Sequence, residues 1–183
     1  MTLIRGEDVR AVANEVLRIA ATYRPVTNLD LQKIIYFLHG QYLVSTEAPL
    51  VGGYFEAWEY GPVHPMLYNS LRHLGNRPVG ESLKRRVLHT GLWEEIPDIS
   101  DKNVRHFVRE TAVILLKLTS GRLVELSHAS NTPWDLVTRF GSRRTWGARL
   151  DNELILSNFR FHKRSLSDSA IGDEVEEHPP SGD

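Results

Sequence analysis

The sequence predicts a mainly α-helical, compact domain with a small antiparallel β element and an acidic C-terminal tail. Three observations predict it. Apolar residues recur at 3- and 4-residue steps along most of residues 7–162, between recognisable caps and stops. Only Tyr54 to Glu59 reads clearly as a strand, ahead of Gly61-Pro62. After Arg164 there is no Lys or Arg, while Asp168, Asp173, Glu174, Glu176, Glu177 and Asp183 are all acidic. Setting those 6 apart from the 23 acids leaves 17 against 22 bases, so residues 1–164 carry about +5 formally.

The first helix is expected over Glu7 to Tyr23, with Val9, Val12, Ala13, Val16, Leu17 and Ala20 on one face. Arg24-Pro25 stops it, because the residue before a proline avoids the helical region. Thr27 caps a second helix, with Asp30 three residues on in the manner of a capping box. That helix runs to about Ser45. Its apolar residues spread around most of its surface, as in a helix packed centrally. Pro49, Gly52 and Gly53 loop into the strand, and a third helix, Val63 to Leu74, ends at Gly75.

Gly61 permits a sharp or left-handed turn, and Pro62 suits the first turn of a helix. The expectation is therefore a strand that breaks into a helix at a rigid corner. Gly80, Gly91 and Pro97 interrupt residues 76–99, where Val87-Leu88 and Leu92-Trp93 read as short strands pairing with the first. Ser100 caps an amphipathic helix ending at Gly121, and Arg122 to His128 forms another. Thr132, Pro133 and Asp135 mark a further helix start, by cap, first-turn proline and first-turn acid. Asp151 caps a last helix through Phe161. The domain ends near Arg164. Residues 165–183 are too polar to offset their ordering entropy and are expected to be disordered.

Composition narrows the function. Hydrophobic content of 41% and charged content of 25% are those of an ordinary globule. The longest apolar run, Ala112 to Leu116, spans no membrane, and MTLIRGEDVR carries no secretory core, so a cytoplasmic location is expected. With no cysteine there is no disulfide, thiolate metal site or cysteine nucleophile. The 8 histidines fall in no compact ligand spacing, so neither a metal nor another cofactor is expected. GxxxxGK[ST] and GxGxxG loops are absent. Ser127-His128 invites a nucleophile reading, but neighbours on a helix point apart, and no catalytic residue is assigned.

LQKIIYFLHGQYL (Leu31 to Leu43), EAWEYGPVHPMLY (Glu56 to Tyr68) and LVELSHASNTPW (Leu123 to Trp134) occur in that order. Together they resemble the Panacea domain, also described as the SocA-like antitoxin or phage-associated family, over roughly residues 7–162. The resemblance implies a mainly α-helical domain with a small β element, and an antitoxin role in a bacterial cytoplasm. An antitoxin of this kind would neutralise a cognate toxin protein by binding it, or act as a proteolytic adaptor that hands it to a ClpXP-type protease. The family does not name the toxin.

Trp58, Gly61, Pro62, Tyr68, His128, Pro133 and Trp134 are read as structural members of these motifs. Tyr36, Trp58, Tyr60, Tyr68 and Trp134 are large with one polar atom each. The bland reading makes them core; the functional one makes some of them interface anchors. Corners lie outside, so Tyr60 and His64 are candidate partner-binding residues. Arg143, Arg144 and Trp146 join them, from a basic cluster that includes Arg139 and Arg149. A second basic cluster is Lys84-Arg85-Arg86. Basic residues interleaved with an aromatic also suit phosphates and bases, so a nucleic-acid-binding regulator is the alternative function. No helix-turn-helix supports it, and a solvated face is the simpler account.

Overall fold

The computed structural model describes residues 6–140 and 147–159. The helices are α1 (Val9–Ala20), α2 (Asn28–Thr46), α3 (Pro65–Leu71), α4 (Lys102–Leu116), α5 (Ser120–Ser127), α6 (Pro133–Phe140) and α7 (Asn152–Asn158). The strands are β1 (Phe55–Trp58), β2 (Gly61–Val63), β3 (Lys84–Arg86), β4 (Trp93–Glu95) and β5 (Ala148–Leu150). The domain is mainly helical with small antiparallel sheets, as the sequence implies.

Helix α2 is the axis of the molecule. Leu31 to Gly40 is buried all round, with α1, α3, α4, α5, α7 and β2 packed against the helix. Its start is the expected capping box: the Thr27 hydroxyl accepts from the Asp30 N–H, and the Asp30 carboxylate accepts from the Thr27 N–H at 2.9 Å. The same carboxylate takes Arg24 at 3.0 Å and the Ser120 hydroxyl at 2.6 Å, joining the starts of α2 and α5. Burial alone would raise the Asp30 pKa. The hydrogen bonds from Arg24, Ser120 and Thr27 outweigh it and hold the pKa below the ordinary value.

Glu15 plays a similar part between α1 and α4. Its buried carboxylate receives Arg18 and Arg109, each at 2.5 Å. Burial raises its pKa and these bonds bring it back down, below the usual carboxylate value.

Toward the other end of α2, His39 is 1% exposed. Its Nδ1 accepts from the Val51 N–H at 3.3 Å, which places the ring proton on Nε2, facing Asn152 Oδ1 at 2.9 Å. Both bonds suit the neutral ring, and burial lowers its pKa to about 4.

The next residue, Gly40, makes room for Phe159. A Cβ at Gly40 would lie 2.0 Å from the Phe159 Cε2. That ring is 1% exposed and meets Tyr36 and Phe37 edge-on, so it has little room to retreat. Alanine is intrinsically better than glycine in a helix by about 1 kcal/mol. Gly40→Ala should nonetheless cost about 1–3 kcal/mol through overpacking, read as a lower midpoint in urea. An unchanged midpoint would show that Phe159 moves freely.

Several expectations are corrected. Gly61-Pro62 is not a strand-to-helix corner. β1 turns back through Glu59-Tyr60 into β2, with Trp58 opposite Gly61 and Ala57 opposite Pro62. The proline that opens α3 is Pro65, and Val63 belongs to β2. The run after residue 76 does form two strands, but they are Lys84–Arg86 and Trp93–Glu95 and leave Val87, Leu88 and Leu92 in the turn between them, and β3 and β4 pair with each other and not with β1. The third strand of the first sheet is β5, which pairs with β1 from nearly 100 residues later and had no local signature.

Asp101, not Ser100, caps α4, and that helix stops at Leu116. Gly121 lies in the first turn of α5, behind its cap Thr119. The Gly75 stop, the Pro133 start and the Asp151 cap stand as expected. Phe161, the Arg164 boundary and the tail 165–183 lie outside the described residues.

Candidate functional site

The three motif segments meet at the β1–β2 hairpin. Lys33, in α2, is wholly buried, and its Nζ donates to the Pro62 carbonyl at 2.9 Å. Gln32 beside it accepts from the His64 N–H at 2.8 Å and donates to Asn28 at 3.0 Å. One helix therefore satisfies a carbonyl and an N–H of the returning strand with two adjacent side chains. Buried backbone groups need such partners, and a short strand at a sheet edge has few others.

Gly61 is where hairpin, α2 and α5 touch. Its φ is +93°, a conformation that L side chains rarely adopt. A Cβ there would stand 2.3 Å from the Ser127 Oγ and 3.1 Å from the Lys33 Nζ. The glycine is thus required twice, by backbone angle and by close approach. Ser127 is fully buried, and its hydroxyl donates to the Val124 carbonyl at 2.7 Å.

His128 ends α5 and turns the other way. Its ring lies 3.9 Å from the Trp134 ring, centroid to centroid. The Trp134 indole N–H donates to the Trp58 carbonyl at 2.8 Å, tying α6 to β1. The Trp58 indole donates to Glu56 at 2.8 Å, and its ring meets Tyr68 of α3 at 4.6 Å. Pro133 opens α6 as its first residue.

Electrostatics at this junction are unusual. Lys33 has no carboxylate partner among the described residues, and burial pushes its pKa down to about 7. The His128 pKa is also lowered, first by burial and then by the charge of Lys33. His128 Nε2 and His64 Nδ1 are buried with no hydrogen-bond partner among the described residues. His64 Nε2 donates to the Gly52 carbonyl at 2.9 Å, and burial lowers the pKa of this ring too. Among the described residues no group of three or more His, Asp or Glu is placed to hold a metal.

These positions separate the candidates. Tyr60, at the hairpin turn, is 61% exposed. Near it an open hollow of about 430 Å³ is lined by Glu56, Trp58, Glu59 and Gly147. His64 is 2% exposed, so the expectation of a surface anchor there is corrected: its side chain faces the Gly52 loop and Phe55. Arg143, Arg144 and Trp146 lie outside the described residues. Arg139 is paired with Asp135 at 2.6 Å, and Arg149 lies over the Tyr54 ring at 4.7 Å. In the other cluster Lys84 and Arg85 pair with Glu95 and Glu94 across the β3–β4 ladder. Much of the basic charge is therefore already opposed by acids, which weakens the nucleic-acid alternative.

Sequence reasoning passed over Gln32 and Lys33. The available signal was an amide and an ammonium inside an apolar run, LQKIIYFL, on a helix already read as central. Buried charges require a reason. Ser127 and Lys33 lie close around Gly61, yet the serine hydroxyl is spent on its own helix, and His128 points to Trp134.

Comparisons with known proteins give the family of this chain. The family model described as "Antitoxin SocA-like, Panacea domain" matches residues 31–135. A protein of Caulobacter vibrioides (strain NA1000 / CB15N), named Antitoxin SocA, is 38% identical over 178 residues. That match covers 95% of this chain and 94% of the relative. No solved structure matches.

Proposed function

Since this chain belongs to the SocA-like antitoxin family that carries the Panacea domain, we propose that it neutralises one partner toxin by binding it directly. It acts by mass action in the cytoplasm and turns over no substrate. The observation that carries this reading is how the motif side chains are used. Gln32, Lys33, Ser127 and Trp134 spend their polar atoms inside the domain, three of them on the β1–β2 hairpin and its exit. What the motifs present outward is a braced hairpin tip with Tyr60 exposed. A rigid aromatic anchor on a braced turn is a binding device, because little entropy is lost when it docks. Arg143, Arg144 and Trp146 remain candidate companions of Tyr60.

The reading is tested by co-expression with the reading frame beside this gene. The neighbour alone should arrest growth, and this chain should restore it once the two are near equal amounts. Tyr60→Ala should leave the melting temperature unchanged and weaken toxin binding by about thirtyfold, the effect of a typical aromatic anchor worth roughly 2 kcal/mol. Rescue at substoichiometric amounts, and only in cells with a ClpXP-type protease, would replace blocking with delivery for degradation. Protection by trace protein in a purified, protease-free assay would overturn both.

A further inference from the structure

A second surface lies away from the β1–β2 hairpin. A groove of about 1040 Å³ runs between α3 and the β3–β4 hairpin. Leu71 and Leu83 form its apolar floor. Met66 and Trp93 stand on its walls, 49% and 67% exposed. Beyond the groove, Leu88 and Leu92 at the hairpin tip are 98% and 66% exposed. Large apolar groups gathered in this way on a small domain call for an occupant.

The charge of the groove selects the occupant. Of the basic residues that line it, Arg10 and Lys84 are already paired with Asp8 and Glu95, which leaves Arg86 with His73 beside it and Glu81 as the one carboxylate of the lining. Arg86 donates to the Gly91 carbonyl and meets no carboxylate among the described residues. A second copy joined through the hairpin edges fits poorly. β3 beside β3 would set Lys and Arg against each other, and β4 beside β4 would oppose Glu94 and Glu95 to themselves. Like charges directly opposite are destabilising. An acidic segment with a few apolar residues fits instead.

The chain itself contains such a segment. From Asp168 to Glu177 the sequence is DSAIGDEVEE, with Ile171 and Val175 among five acids and no base. It follows Phe159 by nine residues, enough for about 30 Å of chain at full extension. Ile171 and Val175 lie 12 and 16 residues past Phe159, about 40 and 55 Å of extended chain, against a radius of gyration of about 15 Å for a domain of this size, so the segment can reach round to the groove. We propose that the groove between α3 and the β3–β4 hairpin seats this chain's own acidic segment, Asp168 to Glu177. Ile171 and Val175 meet Met66 and Trp93, and the acids meet Arg86. The tether supplies an effective concentration on the order of millimolar, so a weak contact suffices.

The absence of cysteine allows a clean test on the full chain. Ser181→Cys would carry a nitroxide label, and amide NMR would report which signals it broadens. The expected result is loss of the Ser70, Leu83, Arg86 and Trp93 signals at about 0.05 M salt, with recovery at about 0.5 M, where the Debye length is only a few Å. Arg86→Glu and Trp93→Ser, both exposed positions, should each restore the signals at low salt. Broadening centred on another face, or none that is selective, would overturn the proposal. Broadening of an isotope-labelled chain by nitroxide on a separate molecule would overturn it in favour of a second copy.

Discussion

Gly61→Val should be among the most destabilising single substitutions in this domain, lowering the unfolding free energy by about 2–6 kcal/mol. Two independent costs add. A residue other than glycine at φ +93° carries backbone strain of about 1–3 kcal/mol. A Cβ placed 2.3 Å from the Ser127 Oγ forces α5 or the hairpin to move, and overpacking of this kind costs about 1–3 kcal/mol. The two parts can be separated. Gly61→Ala combined with Ser127→Ala removes the hydroxyl contact but leaves the strain, so the double variant should be more stable than Gly61→Ala alone. Denaturant melts of the four proteins measure this directly. Additive losses would mean that the close approach at Ser127 carries no energy, and a wild-type melt for Gly61→Ala would remove the whole argument.

Lys33→Met should abolish a pH dependence of stability that the parent protein shows between about pH 7 and pH 10.5. The sign follows from where the proton resides. Burial depresses the folded-state pKa of Lys33 to about 7, against 10.5 for the ordinary amine. Between those values the unfolded chain holds a proton that the folded protein lacks, so raising the pH favours folding. Below the window both states are charged, and the folded one bears the full cost of a buried ammonium. Above it both are neutral and the cost is gone. At about 1.4 kcal/mol per pH unit, the change over the window is of order 5 kcal/mol. Methionine keeps the length of the side chain without the charge. It leaves the Pro62 carbonyl without its donor, at about 1–3 kcal/mol.

The variant should therefore be the more stable of the two at pH 7, and the parent should overtake it only toward pH 10 and above, where the charge cost fades and the lost hydrogen bond remains. Subtracting the two stability curves cancels every other group that titrates in the window. Parallel curves would show that Lys33 keeps its ordinary pKa.

Legibility followed the range of the interactions. The Thr27–Asp30 box, the Gly75 stop, the Pro133 start and the Asp151 cap were readable because each is decided within a few residues. The apolar breadth of α2 was readable too, since a helix without a polar face must be surrounded. The pairing of β5 with β1 was not. It joins Glu56 to Arg149, and three residues of strand carry almost no local preference. Misreading Gly61-Pro62 had a similar source. Glycine before proline fits a helix start and a hairpin return equally well, and only the α2 side chains beneath it favour the return.

By itself, the sequence determined a mainly helical domain, the caps of α2 and α7, the motifs of its family and the uneven charge of its two ends. These depend on residue type and spacing along the chain. Only the tertiary structure decided that Lys33, Gly61 and Ser127 touch, that His64 is buried while Tyr60 is exposed, and that a groove opens beside β3 and β4. The physical reason is that burial and close approach belong to pairs of segments. A buried ammonium or a glycine with no room for a Cβ is defined by what packs against it from 28 to 66 positions away along the chain, which no local pattern records.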